Sequence, residues 1–537
     1  MGIPSYFSYI VKNHSAIIKK YKPNLIKVNN LYLDCNSIIY DIVNNPDFTK
    51  IMNSDTINVI ISAVLVKIEE YIRVIKPDGI VFIAFDGVAP VAKLNQQRER
   101  RYKSLYQTQI SKSIFKDSKP DPWNTSAITP GTEFMSKLNQ RLKLFFLGPL
   151  KYEIKKIILS GSDEYGEGEH KIFDYMRKNP EYHKKSVTVI YGLDADLIML
   201  SINHLHISSH IYLFRETPHF IQSINSELEP NENYLLDIPE LAVTITNEMN
   251  NNDSSEANPS LPINRIYDYI FICFFLGNDF MPHFPSINIR TGGVDKMSNA
   301  YKATIGKTKE TLIDRTKINW KNVRKLVDFL AALEEEHLIQ EMKLRKKRER
   351  KQSHSNDPKI IFESFNSIPI QERDTEKYIN PPDPNWEYRY YKSLFGIEIN
   401  DEIKKQICMN YLEGLEWTLK YYTEGCADWR WSYKYHYPPL LKDLIHYIPY
   451  FSTELVPIKP PTPVNELVQL CYVLPKQSLL LLPPKLYDVL TKTHSQWYKS
   501  DCNFIWAFCR YFWESHVELP EISIEELEKC INSMYNQ

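Results

Sequence analysis

The chain has 537 residues, with 65 Lys and Arg against 66 Asp and Glu, giving a formal net charge of -1. At about 150 residues per domain it is long enough for several folded units, and 43% hydrophobic with 24% charged residues excludes a wholly disordered or collagen-like chain. Near-neutrality argues against a simple polycation for nucleic acid, because neutralising phosphates takes clustered Lys and Arg. The 16 glycines are too few for a fold built on glycine turns or a glycine-rich nucleotide cradle. Eight scattered cysteines with no C-x-x-C pair give no zinc framework and fit a reducing compartment. The first twenty residues lack the apolar core of a signal peptide, and no apolar run is long enough to span a bilayer. A soluble intracellular protein with no membrane partner is expected.

In chain order, five short runs have the β-branched and aromatic character of strands covered on both faces: LYL before Asp34, IVFIAF before Asp86, KIILSG (156–161), VTVIYG (187–192) and IYLF (211–214). Between them lie amphipathic stretches such as 56–75, with apolar residues at helical spacing. Alternating β and α segments predict an α/β domain with a mostly parallel sheet over roughly residues 1–300. The polar stretch 246–262 is expected to be a mobile loop interrupting it. Residues 334–352 form a highly charged helical stretch, and 353–385 are polar and proline-punctuated, as in a linker or insertion. From Trp386 the chain becomes aromatic-dense, which predicts a second, mainly helical unit.

Acidic residues recur where predicted strands end: Asp34, Asp86, Asp194 and Asp196. In an open α/β sheet those ends share one ligand-binding edge. Glu167 and Glu169 stand at the start of a predicted helix, and Asp279 follows an apolar helix in GNDFMPH. Each alone reads as a turn former or helix cap. Seven together would repel one another by about 4 kcal/mol per close pair at an effective dielectric of 20. Divalent cations are the natural compensation, and hard oxygen ligands select Mg²⁺ or Mn²⁺ over Zn²⁺. About two such ions would suit phosphodiester hydrolysis. In GVAPVAKLNQQRERRY, Pro90 can occupy the first turn of a helix that places Lys93, Gln97, Arg100 and Arg101 on one face. A charge run of this size is usually a solvated face, but this one begins four residues after Asp86 and so opens toward the acid edge.

The segments MGIPSYF, LYLDCNSIIYD, FIAFDGVAPVAKLNQQRERRY, ITPGTEFM, GEGEHKI, YGLDADLIML, CFFLGNDFMPHFPSINIRTGGVD and GLEWTLKYYTEGCADWRWSYKYHYPPLLKDL, in order, resemble the 5′-to-3′ exoribonuclease (XRN) family. The resemblance runs from Met1 to about residue 490, with a variable gap at 300–385. It implies a PIN/FEN-like nuclease domain (1–303), a charged helical and Pro-rich linker or insertion (304–385), and a second conserved region closing the active site (386–490). Residues 491–537 are expected to be a C-terminal helical support. The implied activity is Mg²⁺-dependent, processive release of 5′-mononucleotides from single-stranded RNA with a 5′-monophosphate, by a monomer. The implied metal-binding and catalytic acids are Asp34, Asp86, Glu167, Glu169, Asp194, Asp196 and Asp279, and the implied 5′-phosphate pocket is Lys93, Gln97, Arg100 and Arg101. A pair of aromatics stacking on the terminal base falls on Tyr40 and Trp417, with Trp429 and Trp431 as alternatives. Trp417 reads equally well as core.

The chain departs from the family at Tyr40, where His is usual; a phenol stacks but carries no proton near neutral pH. A protein without the zinc knuckle of some nuclear members and without the β-rich modules of cytoplasmic ones is expected. Two rival readings remain. A FEN-like structure-specific DNA nuclease would need a helix-hairpin-helix, which is not seen, and a non-catalytic RNA scaffold would be expected to lose carboxylates. A cytoplasmic protein is expected, or a nuclear one if the run KLRKKRERK (343–351) is a localisation signal rather than a solvated helix.

Overall fold

A computed structural model describes residues 5–22, 26–45, 55–116, 123–147, 153–216, 222–229, 232–250, 261–314, 316–349 and 356–535. The five predicted strands form the centre of a seven-stranded sheet: β2 (Asn30–Asp34), β3 (Ile80–Ala84), β4 (Lys156–Ser160), β5 (Thr188–Tyr191) and β6 (Ile211–Glu216). They run parallel in the order β6-β5-β2-β3-β4. Two strands that sequence reading did not find, β1 (Ile18–Lys20) and β7 (Asn233–Asp237), extend the β6 edge with antiparallel pairing. The fold class is therefore α/β with a mostly parallel sheet and a helical second region, as expected.

The period-two alternation of a strand explains why continuous apolar runs were needed. Tyr32, Phe82 and Ile190 face one core, which holds the helices Gly168–Lys178, Asp196–Asn203 and Ile238–Met249. Their neighbours Leu31, Leu33, Val81, Ile83, Val189 and Tyr191 face the other, under the helices Asn36–Asn44, Thr56–Ile75 and Glu133–Phe146. The first of these cores continues without a break into the second region through Trp320, Leu326, Tyr411 and Trp417. Gly414, in the long helix Asp401–Thr423, permits that contact: a Cβ there would lie 2.1 Å from the Met281 sulfur.

The stretch 246–262, expected as a loop, is helical at both ends, 246–249 closing the helix Ile238–Met249 and 261–262 opening the helix Leu261–Cys273; its residues 251–260 lie outside the described residues, as do Met1–Pro4. Within 304–385, expected as linker or insertion, the helices Trp320–Ala332, Glu334–Glu349, Pro358–Asn366 and Asp374–Ile379 form. The charged helix Glu334–Glu349 is solvated along part of its surface, where Lys343, Lys346 and Lys347 are exposed, but it also buries Glu334, Glu341 and Arg345. The C-terminal segment, expected to be helical, has a short hairpin (Asn503–Ile505 with His516–Glu518) before its helix Ile524–Tyr535. No helix among the described residues is long and apolar enough to cross a membrane.

Candidate active site

Parallel strands deliver their carboxyl ends to one edge, and the acids gather there. Asp34 ends β2, Asp86 follows β3 by two residues, and Asp196 opens the helix after β5. Glu167 caps the helix Gly168–Lys178 and Glu169 lies in its first turn, where the helix dipole favours negative charge. One carboxylate oxygen each of Asp34, Asp86 and Glu169 lie within 4.8 Å of one another, and Glu167, Glu169 and His170 form an overlapping group. Asp86 is oriented by the Gly168 amide (2.7 Å) and by a reciprocal pair with Asn36, whose side-chain amide donates at 2.5 Å and accepts the Asp86 N–H at 3.2 Å. Gly168 is required here, because a Cβ would sit 2.5 Å from Asp34 Oδ1. Lys171 ties the ends of β3 and β4 together by donating to the carbonyls of Phe85 and Gly161.

Asp279 follows a turn opened by Gly277 at φ +84° and braced by Asn278, whose side-chain oxygen accepts the amides of Phe280 and Met281. Lys93 joins the two halves of the cluster, with Nζ 2.5 Å from Glu167 and 2.7 Å from Asp279. The predicted phosphate ligand is thus committed to two carboxylates, with one of its three ammonium protons left over. Gln96, one residue before the predicted phosphate ligand Gln97, donates to Asp279 at 3.3 Å. Asp194 is exposed, though close enough to contribute to the field at Asp34.

Burial, reinforced by Asp86, Asp194 and Glu167, pushes Asp34 well above the ordinary carboxylate range. Glu169 is raised by burial and then by Glu167 and Asp34. Burial and the neighbouring Asp279 raise Asp196 to about 7. Burial works on Asp279 too, but the Lys93 ammonium overcomes it and holds the carboxyl below its usual value. Asp34 Oδ1 and Asp196 Oδ1 are buried without a hydrogen-bond partner among the described residues. Orphaned buried anionic oxygens in an all-oxygen donor set fit a hard divalent cation. The described residues therefore hold acidic groups able to bind metal.

The basic helix is Val91–Phe115, with Pro90 just before it rather than in its first turn. Arg100 is exposed, and Arg101 donates to Thr129 Oγ1 at 2.6 Å while its Nη1 is buried without a partner among the described residues. Gln97 Oε1 is likewise buried and unpartnered. Burial lowers Arg101 to about 10. Tyr40, half-buried on the helix Asn36–Asn44, stands close to both guanidiniums. Trp417 is fully buried, with its indole N–H on the Asp428 carbonyl at 2.8 Å. Of the three tryptophans considered, Trp429 is also buried and Trp431 is half-exposed, stacked on Trp417 at 5.1 Å.

Sequence reading missed two tyrosines of the long helix Asp401–Thr423. Tyr421 donates to Glu167 at 2.7 Å and stacks on His170 at 3.7 Å, and Tyr422 hydrogen-bonds Asp196. The only signal was the spacing of Tyr421 four residues after Trp417, which puts both on one helical face. The second region thus touches the acid cluster directly.

Comparison with known proteins identifies the family. The family model described as the XRN 5′-3′ exonuclease N-terminus matches residues 1–217, and the one described as the Xrn1 helical domain matches 262–368 and 370–537. The 5′-3′ exoribonuclease 2 homolog of Drosophila melanogaster is 28% identical, covering 100% of this chain and 71% of that protein. The 5′-3′ exoribonuclease 2 of Gallus gallus is 26% identical, covering 100% and 70%. The 5′-3′ exoribonuclease 1 of Saccharomyces cerevisiae is 28% identical over 92% of this chain but only 41% of its own length. The chain belongs to the XRN 5′-3′ exonuclease family.

Proposed function

We propose that this chain is a 5′-to-3′ exoribonuclease that hydrolyses single-stranded RNA bearing a 5′-monophosphate and releases 5′-mononucleotides one after another. The observation that carries the reading is the gathering of Asp34, Asp86 and Glu169 within 4.8 Å at the sheet edge, with a basic helix starting beside them.

Asp34, Asp86, Glu167, Glu169, Asp194, Asp196 and Asp279 would hold about two Mg²⁺ ions, with Mn²⁺ as a substitute. Ions held by these carboxylates would supply activation of water and charge stabilisation at the scissile phosphate. Asn36, Gly168, Tyr421 and Tyr422 orient the carboxylates. Arg100, the unpartnered Arg101 Nη1, Gln97 and the spare proton of Lys93 take the terminal phosphate, since guanidinium forks match phosphate oxygens. A cap or triphosphate is too large for such a pocket. Tyr40 stacks on the terminal base from beside the two arginines, opposite Trp431, the most exposed of the three tryptophans considered. Trp417 acts behind Trp431 as its packing support. The enzyme works as a monomer.

The test is a Mg²⁺ time course on 5′-phosphate, 5′-hydroxyl and 5′-triphosphate RNA, scored for mononucleotides. Fast release from the 5′-phosphate substrate alone is expected; equal rates on all three would remove the pocket. Cleavage of DNA flaps in preference to single-stranded RNA would favour the FEN-like alternative.

A further inference from the structure

A cavity of about 310 Å³ opens on another side of the basic helix and is not used by the chemistry above except where it reaches Asp279. Its wall includes Glu99 and Lys103 of that helix, His283, and His436 and His516 from the second region. Glu99, with Asn95 and Lys103 four residues to either side, lies on a different helical face from Lys93, Gln97, Arg100 and Arg101.

One ligand atom each of Glu99, His436 and His516 lie within 4.8 Å of one another. Glu99 Oε1 and His436 Nδ1 are 3.5 Å apart, and the two imidazole rings are 5.1 Å apart between centroids, tilted by 35°. Donors at about 2.0–2.1 Å around a tetrahedral Zn²⁺ stand about 3.3 Å from one another. The Glu99–His436 pair already has that spacing, and side-chain movements of about 1 Å close the triangle. Two imidazoles and one carboxylate are a borderline donor set that favours Zn²⁺ over Mg²⁺, unlike the all-oxygen cluster at the sheet edge. The cavity leaves a fourth position for water. The Val517 N–H hydrogen-bonds the Glu99 carboxylate and so orients the ligand from outside.

We propose that Glu99, His436 and His516 form a Zn²⁺-type site that pins the basic helix to the second region. Lys103 works against it: its ammonium, held by the carbonyls of Trp513 and Ser515, lines the same cavity. The site thus binds more weakly than an unopposed set, and removing that charge tightens it.

The test uses the full chain stripped with chelator, then titrated with ZnCl₂ or CoCl₂ in excess Mg²⁺ to saturate the hard-oxygen sites. Roughly one Zn²⁺ per chain is expected, with Co²⁺ giving tetrahedral d–d bands. Glu99→Gln and His436→Gln should weaken Zn²⁺ by at least about 100-fold, more than the loss of an outer-shell partner does. Lys103→Met should strengthen it, and Asp196→Asn should leave it unchanged. X-ray absorption at the zinc edge of the unmodified protein needs no variant, and should show imidazole scattering. No stoichiometric Zn²⁺ above the Mg²⁺-saturated background, no imidazole scattering, or unchanged binding in folded His436→Gln would each overturn the site.

Discussion

Two clusters in this molecule bury several charges, and they resolve the problem in opposite ways. In the helix Glu334–Glu349, Arg345 is 1% exposed and well supplied with acceptors: Nε and Nη2 form a fork on Glu376 at 2.9 and 2.6 Å, Nη2 also reaches the carbonyls of Pro369 and Cys509, and Nη1 stands 3.9 Å from Glu341. Glu376 is equally occupied, accepting from Arg373 at 2.7 Å and from the Phe508 amide at 2.8 Å. At the sheet edge Lys93 bridges Glu167 and Asp279, while Asp34 Oδ1 and Asp196 Oδ1 are buried with no partner among the described residues. A charge set meant to be permanent is closed by protein donors, while the acid set is left short of positive charge. That shortfall reads as room for cations.

The sharpest way to test this contrast is Asp196→Asn. Cleavage should fall by about 10³-fold or more, because a metal contributes several kcal/mol to the transition state, while RNA binding persists. The same change should raise the melting temperature of the metal-free protein at pH 8, since it removes a buried carboxyl without a full set of partners. A destabilised variant would place Asp196 in the satisfied class instead. Arg345→Ala should do the reverse. Urea unfolding should show a loss of about 3–5 kcal/mol, the cost of breaking a buried pair, with the cleavage rate of the folded fraction unchanged.

Smaller effects follow at the phosphate face. Arg101→Ala should reduce the preference for 5′-phosphate over 5′-hydroxyl RNA by about 10- to 100-fold, the worth of a charged hydrogen bond of about 1.5–3 kcal/mol. Competition rates on paired oligomers give that ratio directly. The smallest effect is in pH. Asp34 and Glu169 are raised and Asp196 stands at about 7, so the folded protein keeps protons that the unfolded chain releases. For Asp196 that contribution to stability is present below about pH 4 and lost as pH rises through about 7, and Asp34 and Glu169 act in the same direction. The buried His170 and His204 are lowered by burial and oppose this trend up to about pH 6.5. The discriminating quantity is the rise in melting temperature on adding Mg²⁺, expected to be larger at pH 8 than at pH 5.5 by about 2 °C. Equal increments would break the contrast.

The central strands were legible because β-branched runs such as IVFIA have one use in a soluble protein, a sheet covered on both faces. The strand β1 was not, since IKK is a three-residue edge strand with two exposed lysines and no apolar pattern. Asp after a strand was legible as a site because topology alone carries strand ends to one edge. Pairing was not: nothing in the spacing told that Lys93 would reach Glu167 and Asp279, or that Glu99 would meet His436 and His516, because these distances arise from tertiary packing. The charged helix misled for the same reason. Charge pattern reports what a helix can solvate, and Arg345 is buried only because Glu376 and the Cys509 carbonyl arrive from elsewhere.

The partners of the basic helix also set an order of assembly. Arg98 donates to the carbonyls of Trp497 and Pro520, Lys103 to those of Trp513 and Ser515, and Val91 and Leu94 pack on residues from Val464 to Ile531. A ribosome makes the sheet and its acids first, and domains fold as they emerge. The helix beside those acids acquires its backing only after residue 520 has been made. For a protein that degrades RNA, this means the growing chain spends most of its synthesis next to its own message with the helix proposed to hold phosphate still unbuttressed.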